Sequence, residues 1–211
     1  YYVNERGARE LRSFVFDDIE GKALGIIGLG SIGHCIAVKA RRLGLRFLAY
    51  NRSDRSAFCK RHGIECTSFD DVLRTADILS INVALTEQTR FMLNAGNLPL
   101  LKPTAFIINT AEADVIDPAT LYNMMSSEQI AGLATNFVYE QYDFTVFPNA
   151  IVTPHISSRS RATTDRKVEI VIDTVRRHLC DKRVPKGLVV SNLTTASTID
   201  QSSVPGGCAD I

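Results

Sequence analysis

The sequence predicts an α/β fold, a doubly wound parallel sheet forming a single main domain. Short apolar runs alternate with amphipathic stretches along most of the 211 residues. The first apolar run leads straight into the glycine cluster GLGSIG at 28–33. Strand and helix alternating at these lengths indicates βαβ units with right-handed crossovers rather than hairpins.

The elements follow in order. Residues 23–27 read as a strand and 32–43 as a helix; 46–50 and 55–62 repeat the pair. A short strand near 64–66 precedes a helical pattern over 70–76, and 78–83 is the fourth strand. Residues 94–101 suggest a helix that stops before Pro103, and 105–109 the fifth strand. A helix over 118–126 has Asp117 as N-cap and a proline at its first position, where the missing N–H costs nothing. Strands at 130–134 and 151–153 close the series, and a long helix spans about 161–179. Residues 1–17 are expected to be an N-terminal helical extension, and 191–211, rich in Ser, Thr, Gly and Asp without periodicity, a disordered C-terminal tail.

Composition narrows the partners. Hydrophobic residues make up 45% and charged residues 22%, enough to bury a core. A net charge of +1 gives no basic field for nucleic acid. No apolar run approaches the roughly 20 residues of a membrane-spanning helix, and the N-terminus has no apolar signal segment. The chain starts at Tyr1 rather than Met, so a longer product is an expectation. Five scattered cysteines without C-x-x-C spacing favour buried, reduced thiols in a cytoplasmic protein over a disulfide framework. With only four scattered histidines, no metal site is expected.

The glycines carry the first functional reading. Gly28-x-Gly30-x-x-Gly33 follows a strand and opens a helix, the setting that a Rossmann-type dinucleotide site needs. Gly28 permits the tight turn, Gly30 lets a pyrophosphate approach the backbone, and Gly33 allows close helix–strand packing. Ser31 and Ile32 begin the helix, whose N–H groups suit an anion. At the end of the second strand stand Asn51, Arg52 and Ser53, with Arg55 close behind. An acid there would hold a ribose 2′-hydroxyl. Here no carboxylate repels a 2′-phosphate, and Arg52 can clasp one, so NADP(H) is favoured over NAD(H).

One stretch, TAFIINTAEADVID (104–117), raises a question of chemistry. It puts Glu112 at the C-terminal edge of a strand, where α/β proteins keep their sites. GIIGLGSIG, ADILSINVALTEQTRFMLNAGNLPLLKPTAFIINTA, IAGLATNF and PNAIVTPHIS together resemble, in order, the D-isomer-specific 2-hydroxyacid dehydrogenases. The resemblance covers about 18–190 and implies that family's nucleotide-binding domain; most of its substrate domain has no counterpart here.

The resemblance implies a catalytic arginine, glutamate and histidine. The histidine matches His155 in Thr153-Pro154-His155. The arginine position holds Glu112, followed by Ala113-Asp114. The glutamate position falls on Gln141, with Glu140 adjacent as the alternative. Val83, Thr110 and Asn136 would lie along the cofactor, Asn136 in place of an aspartate near the nicotinamide. A small carbonyl or hydroxy substrate and a homodimer are implied as well. Two readings follow: a divergent NADP(H) oxidoreductase with an altered catalytic triad, or an inactive dinucleotide-binding module acting as a sensor or interaction partner. A third is a decayed fragment that keeps only its cofactor site.

Overall fold

The computed structural model describes residues 18–180. The expectations for 1–17 and 191–211 lie outside the described residues. The chain divides into two compact units, one ending at His155 and one starting at Ile156.

The first unit holds one parallel sheet of seven strands: β1 (Ala23–Ile27), β2 (Arg46–Tyr50), β3 (Glu65–Cys66), β4 (Ile78–Ile81), β5 (Phe106–Asn109), β6 (Gly132–Thr135) and β7 (Ala150–Val152). Their order across the sheet is β3-β2-β1-β4-β5-β6-β7, and every pair is parallel. Helices α1 (Ser31–Ala40), α2 (Ser56–His62), α3 (Phe69–Thr75) and α4 (Pro118–Ser126) belong to this unit. The doubly wound α/β sheet is the one the sequence pattern predicts. In the second unit, α5 (Arg161–Leu179) spans the expected residues, capped by Ser160, which accepts from the Thr163 amide.

Side-chain alternation splits the apolar residues of the central strands between two cores. Ala23 and Ile27 of β1 and Leu48 of β2 point to one side, with Val72 and Leu73 of α3. Leu24 and Ile26 of β1 and Phe47 and Ala49 of β2 point to the other, with Ala37 of α1 and Cys59 of α2. Burial on both faces makes β1 continuously apolar, the mark of a central parallel strand. Gly25 is required by the closeness of α3: a Cβ there would meet Ala76 Cβ and Val72 Cγ1 at 2.8 Å.

Polar groups fix the bottom of the sheet. The Ala23 amide donates to Asp77 Oδ2 and Lys102 Nζ to Asp77 Oδ1, both at 2.8 Å, tying the starts of β1 and β4 to the segment before β5. Burial pushes the Asp77 carboxyl up, but those two hydrogen bonds and the charges of Lys102 and Lys22 outweigh it and hold it below the usual range. Asp77 thus stays ionised without a bare buried charge.

Two expectations are corrected. The helix expected over 94–101 shrinks to a 3-10 turn at Leu98–Leu100. Asn94 Oδ1 accepts from the Gly96 amide, and Asn97 accepts from the Asn94 amide while donating to the Met92 carbonyl. These side-chain bonds compete with a helical ladder, and Gly96 and Pro99 weaken it further. Cys59 and Cys66 form a disulfide rather than remaining reduced thiols. Gly63, left-handed at φ +62°, reverses the chain between α2 and β3 and leaves their Cα atoms 6.2 Å apart, within disulfide reach. Cys35 and Cys180 are exposed, not buried.

Candidate dinucleotide and catalytic site

The chain leaves β1 towards β2 on one side, while β4 starts the other half of the sheet, so a crevice opens above the C-terminal ends of β1 and β4. The three glycines meet there for different reasons. Gly28 has φ +94°, and a Cβ would lie 2.7 Å from the Asn82 carbonyl oxygen. Gly33 packs the first turn of α1 onto the Gly28 carbonyl, where a Cβ would fall 2.1 Å from the oxygen. Gly30 is extended at φ −76°, and a Cβ would meet nothing within 4 Å. Its side-chain position is open space at the crevice. The first helical bond of α1 runs from the His34 amide to the Gly30 carbonyl, so the amides of Ser31, Ile32 and Gly33 have no acceptor within the helix.

The tip of β2 is built by Asn51. Its Oδ1 accepts from the Leu29 amide at 2.8 Å, while its Nδ2 donates to the Ser53 carbonyl and hydroxyl oxygens at 2.8 and 2.9 Å. An aspartate could accept the first bond but donate neither of the others. The Arg52 guanidinium, beyond this tip, donates through Nη1 to Gln88 Oε1 at 2.6 Å.

A cavity of about 320 Å³ results, lined by Gly28, Gly30, Asn51, Arg52, Ser53, Arg55 and Val83, all expected from the sequence. Among the described residues, two arginines line it and no carboxylate does. The loop after β4 adds Asn82, Thr86, Gln88 and Thr89, which no motif spacing indicates. Only the adjacency of β1 and β4 places that loop against the glycine turn. Thr110 and Asn136 do not line this cavity. They lie just past β5 and β6 on the same strand-end edge, Thr110 exposed and Asn136 buried.

That edge carries the expected catalytic positions. Asn109 is fully buried at the end of β5, and its side chain shapes the following turn. Its Oδ1 accepts from the Ala111 amide at 3.1 Å, and its Nδ2 donates to the Glu112 carbonyl at 3.0 Å. Glu112 itself is exposed. Nearby, Asp114 is paired with Arg90. Past β7, exposed His155 has its Nδ1 3.5 Å from Asn136 Nδ2 and its ring edge-to-face with Phe137 at 5.2 Å. An amide nitrogen only donates, so Nδ1 is the acceptor in this contact. Among the described residues, no hydrogen bond or ion pair joins His155 to Glu112, Glu140 or Gln141. Beneath this edge the Tyr139 hydroxyl is buried, and burial raises its pKa above the usual value against the smaller opposing effect of the Asn109 and Thr135 side chains.

The residues present fit a nicotinamide dinucleotide. The Oδ1 atoms of Asn82, in the crevice, and of Asn136, past the end of β6, are buried acceptors with no hydrogen-bond partner among the described residues, open to donors of a ligand. Gly30 and the start of α1 would hold the pyrophosphate, and the Asn51–Ser53 tip the adenosine ribose. When bound, such a group supplies or accepts a hydride. Among the described residues no cluster could hold a metal ion, and no helix is long and apolar enough to cross a membrane.

A parallel sheet with a glycine turn at its switch point and a histidine on the same edge defines a nicotinamide-dinucleotide-binding domain of dehydrogenase type. Residues 2–157 match the D-isomer specific 2-hydroxyacid dehydrogenase NAD binding domain, and the chain belongs to that family. It is 36% identical over 165 residues to a glyoxylate reductase of Thermococcus kodakarensis, covering 76% of this chain and 49% of that protein. A glyoxylate reductase of Aeropyrum pernix is 32% identical over 177 residues, covering 82% and 52%. The crystal structure of a glyoxylate reductase from Paecilomyes thermophila superposes with a TM-score of 0.75 at 26% identity, covering 86% of this chain and 58% of that one. The chain thus spans about half the length of the curated relatives it matches.

Proposed function

We propose that this chain is an NADP(H)-preferring oxidoreductase of its family, acting on C=O or CH–OH groups, whose catalytic triad has been altered. The observation that carries the cofactor preference is the lining of the crevice, with Arg52 and Arg55 and no acid. An acid at the β2 tip would repel a 2′-phosphate; an arginine there attracts one. The altered chemistry rests on Glu112, an exposed carboxylate at the edge where the resemblance implies a substrate-binding arginine. A substrate carboxylate is repelled there, so the favoured substrates are uncharged or cationic carbonyl compounds. In this reading His155 is the proton donor to the carbonyl oxygen, held by Asn136 and Phe137, and Gln141, where the resemblance implies a glutamate, adds no charge to it. Self-association as a homodimer belongs to the same reading, and sedimentation measures it.

One observation favours a second reading, a dinucleotide-binding module without turnover. His155 contacts Asn136 and Phe137 and no acid among the described residues. NADPH oxidation followed at 340 nm separates the two. Turnover of a neutral or cationic carbonyl compound but not of glyoxylate supports the first. Tight NADPH binding without turnover of any carbonyl compound supports the second. Efficient glyoxylate reduction contradicts both.

A further inference from the structure

The geometry points to Gln88 as a residue that sets cofactor specificity by positioning Arg52 for a ribose 2′-phosphate. The inference rests on the NADP(H) preference proposed above and adds to it the device that makes the arginine effective.

The two residues come from loops that follow β2 and β4, the strands on either side of β1. Their 2.6 Å bond therefore crosses above the end of β1, where the glycine turn begins. Both line the same cavity as Gly28 and Gly30. The base of the Arg52 loop is already fixed, because Asn51 bonds the Leu29 amide and Ser53 at once. What remains free is the long Arg52 side chain, exposed and rich in rotamers. An unrestrained arginine loses that freedom when it meets a ligand, which weakens binding. Gln88 Oε1 accepts one N–H of Nη1 and holds the guanidinium over the crevice beforehand. The remaining donors of the fork stay available for a phosphate monoester.

The neutrality of Gln88 matters as much as its reach. A glutamate of the same length would hold Arg52 as a salt bridge and cancel the charge that attracts the phosphate. A glutamine holds it and leaves the charge intact. Thr86 and Thr89, bonded to each other across the same loop, give Gln88 a fixed base.

The test measures NADPH and NADH affinity, by nucleotide fluorescence, for the intact chain and three variants. Gln88→Ala should weaken NADPH by about threefold, the loss of one pre-positioning bond, and NADH far less. Gln88→Glu, isosteric but charged, should weaken NADPH by more than about tenfold and NADH far less. Arg52→Ala serves as the reference. If Arg52→Ala leaves NADPH binding unaltered, the NADP(H) reading itself fails. If Arg52→Ala weakens NADPH but neither Gln88 variant does, the role of Gln88 is overturned while that reading stands. Equal weakening of both nucleotides by Gln88→Ala also overturns it, since a wall of the crevice, not a positioning residue, behaves that way.

Discussion

Gly33→Ala is expected to lower the unfolding free energy by about 2–3 kcal/mol, whereas Gly30→Ala, three residues away, leaves stability unchanged within about 1 kcal/mol and weakens dinucleotide binding at least about tenfold. The difference lies in what each methyl group meets. At position 33 it falls 2.1 Å from the Gly28 carbonyl oxygen, a backbone atom. Gly28 cannot retreat, because its own backbone closes against Asn82 and its φ of +94° suits only glycine. The helix start must move off the sheet, at a typical overpacking cost. At position 30 the backbone is ordinary and the methyl meets no atom. It fills the space that a pyrophosphate needs to reach the α1 amides. Urea unfolding of the two variants, paired with NADPH titration, checks both halves. Equal stability losses would mean that Gly30 serves packing rather than ligand approach.

Glu112→Arg carries the second large effect. In the NADP⁺-loaded protein it is expected to tighten glyoxylate binding by roughly 30-fold. Two unit charges about 4 Å apart interact by about 1 kcal/mol in water and by about 4 kcal/mol at an effective dielectric near 20. Glu112 is exposed, so the lower figure applies. Reversing the charge turns repulsion into attraction, a swing of about 2 kcal/mol, which at 1.4 kcal/mol per decade gives that factor. The fold should tolerate the change, since Asn109 holds the turn through the Glu112 carbonyl and not through its side chain. Calorimetric titration reads the affinity directly. Unchanged glyoxylate binding in a folded, NADP⁺-binding variant would show that Glu112 does not face the substrate's carboxylate.

Much of this architecture was legible in the chain because the relevant physics is local. A central parallel strand buried on both faces reads as an unbroken apolar run, as in ALGII. Asp117 before Pro118 announced a helix start, and the Asp117 side chain does accept the Thr120 amide. Local reading failed where competing bonds are made by side chains. Asn94 and Asn97 dissolve an apparently helical stretch into a turn, and apolar spacing does not register that. It failed again where residues distant in the chain converge. Gln88 carries no motif, and only the order β2-β1-β4 brings it to Arg52, 36 residues away. The Cys59–Cys66 pair needed the left-handed turn at Gly63 to become visible. At the expected catalytic edge, the chain order places His155, Asn136 and Glu112 on neighbouring strand ends. The contacts that would couple them depend on side-chain chemistry, and the positions to which the resemblance assigns acids hold Gln141 and Asn136.

In the proposed function the crevice above β1 and β4 takes a dinucleotide and prefers one with a 2′-phosphate. Parallel titrations of the intact chain with NADPH and NADH test it most directly. Both are expected to bind, NADPH at least about fivefold more tightly, the worth of roughly 1 kcal/mol from an exposed charge-assisted contact. Equal or tighter binding of NADH, or no binding of either nucleotide up to about 1 mM, where the free energy falls to about −4 kcal/mol, would contradict it.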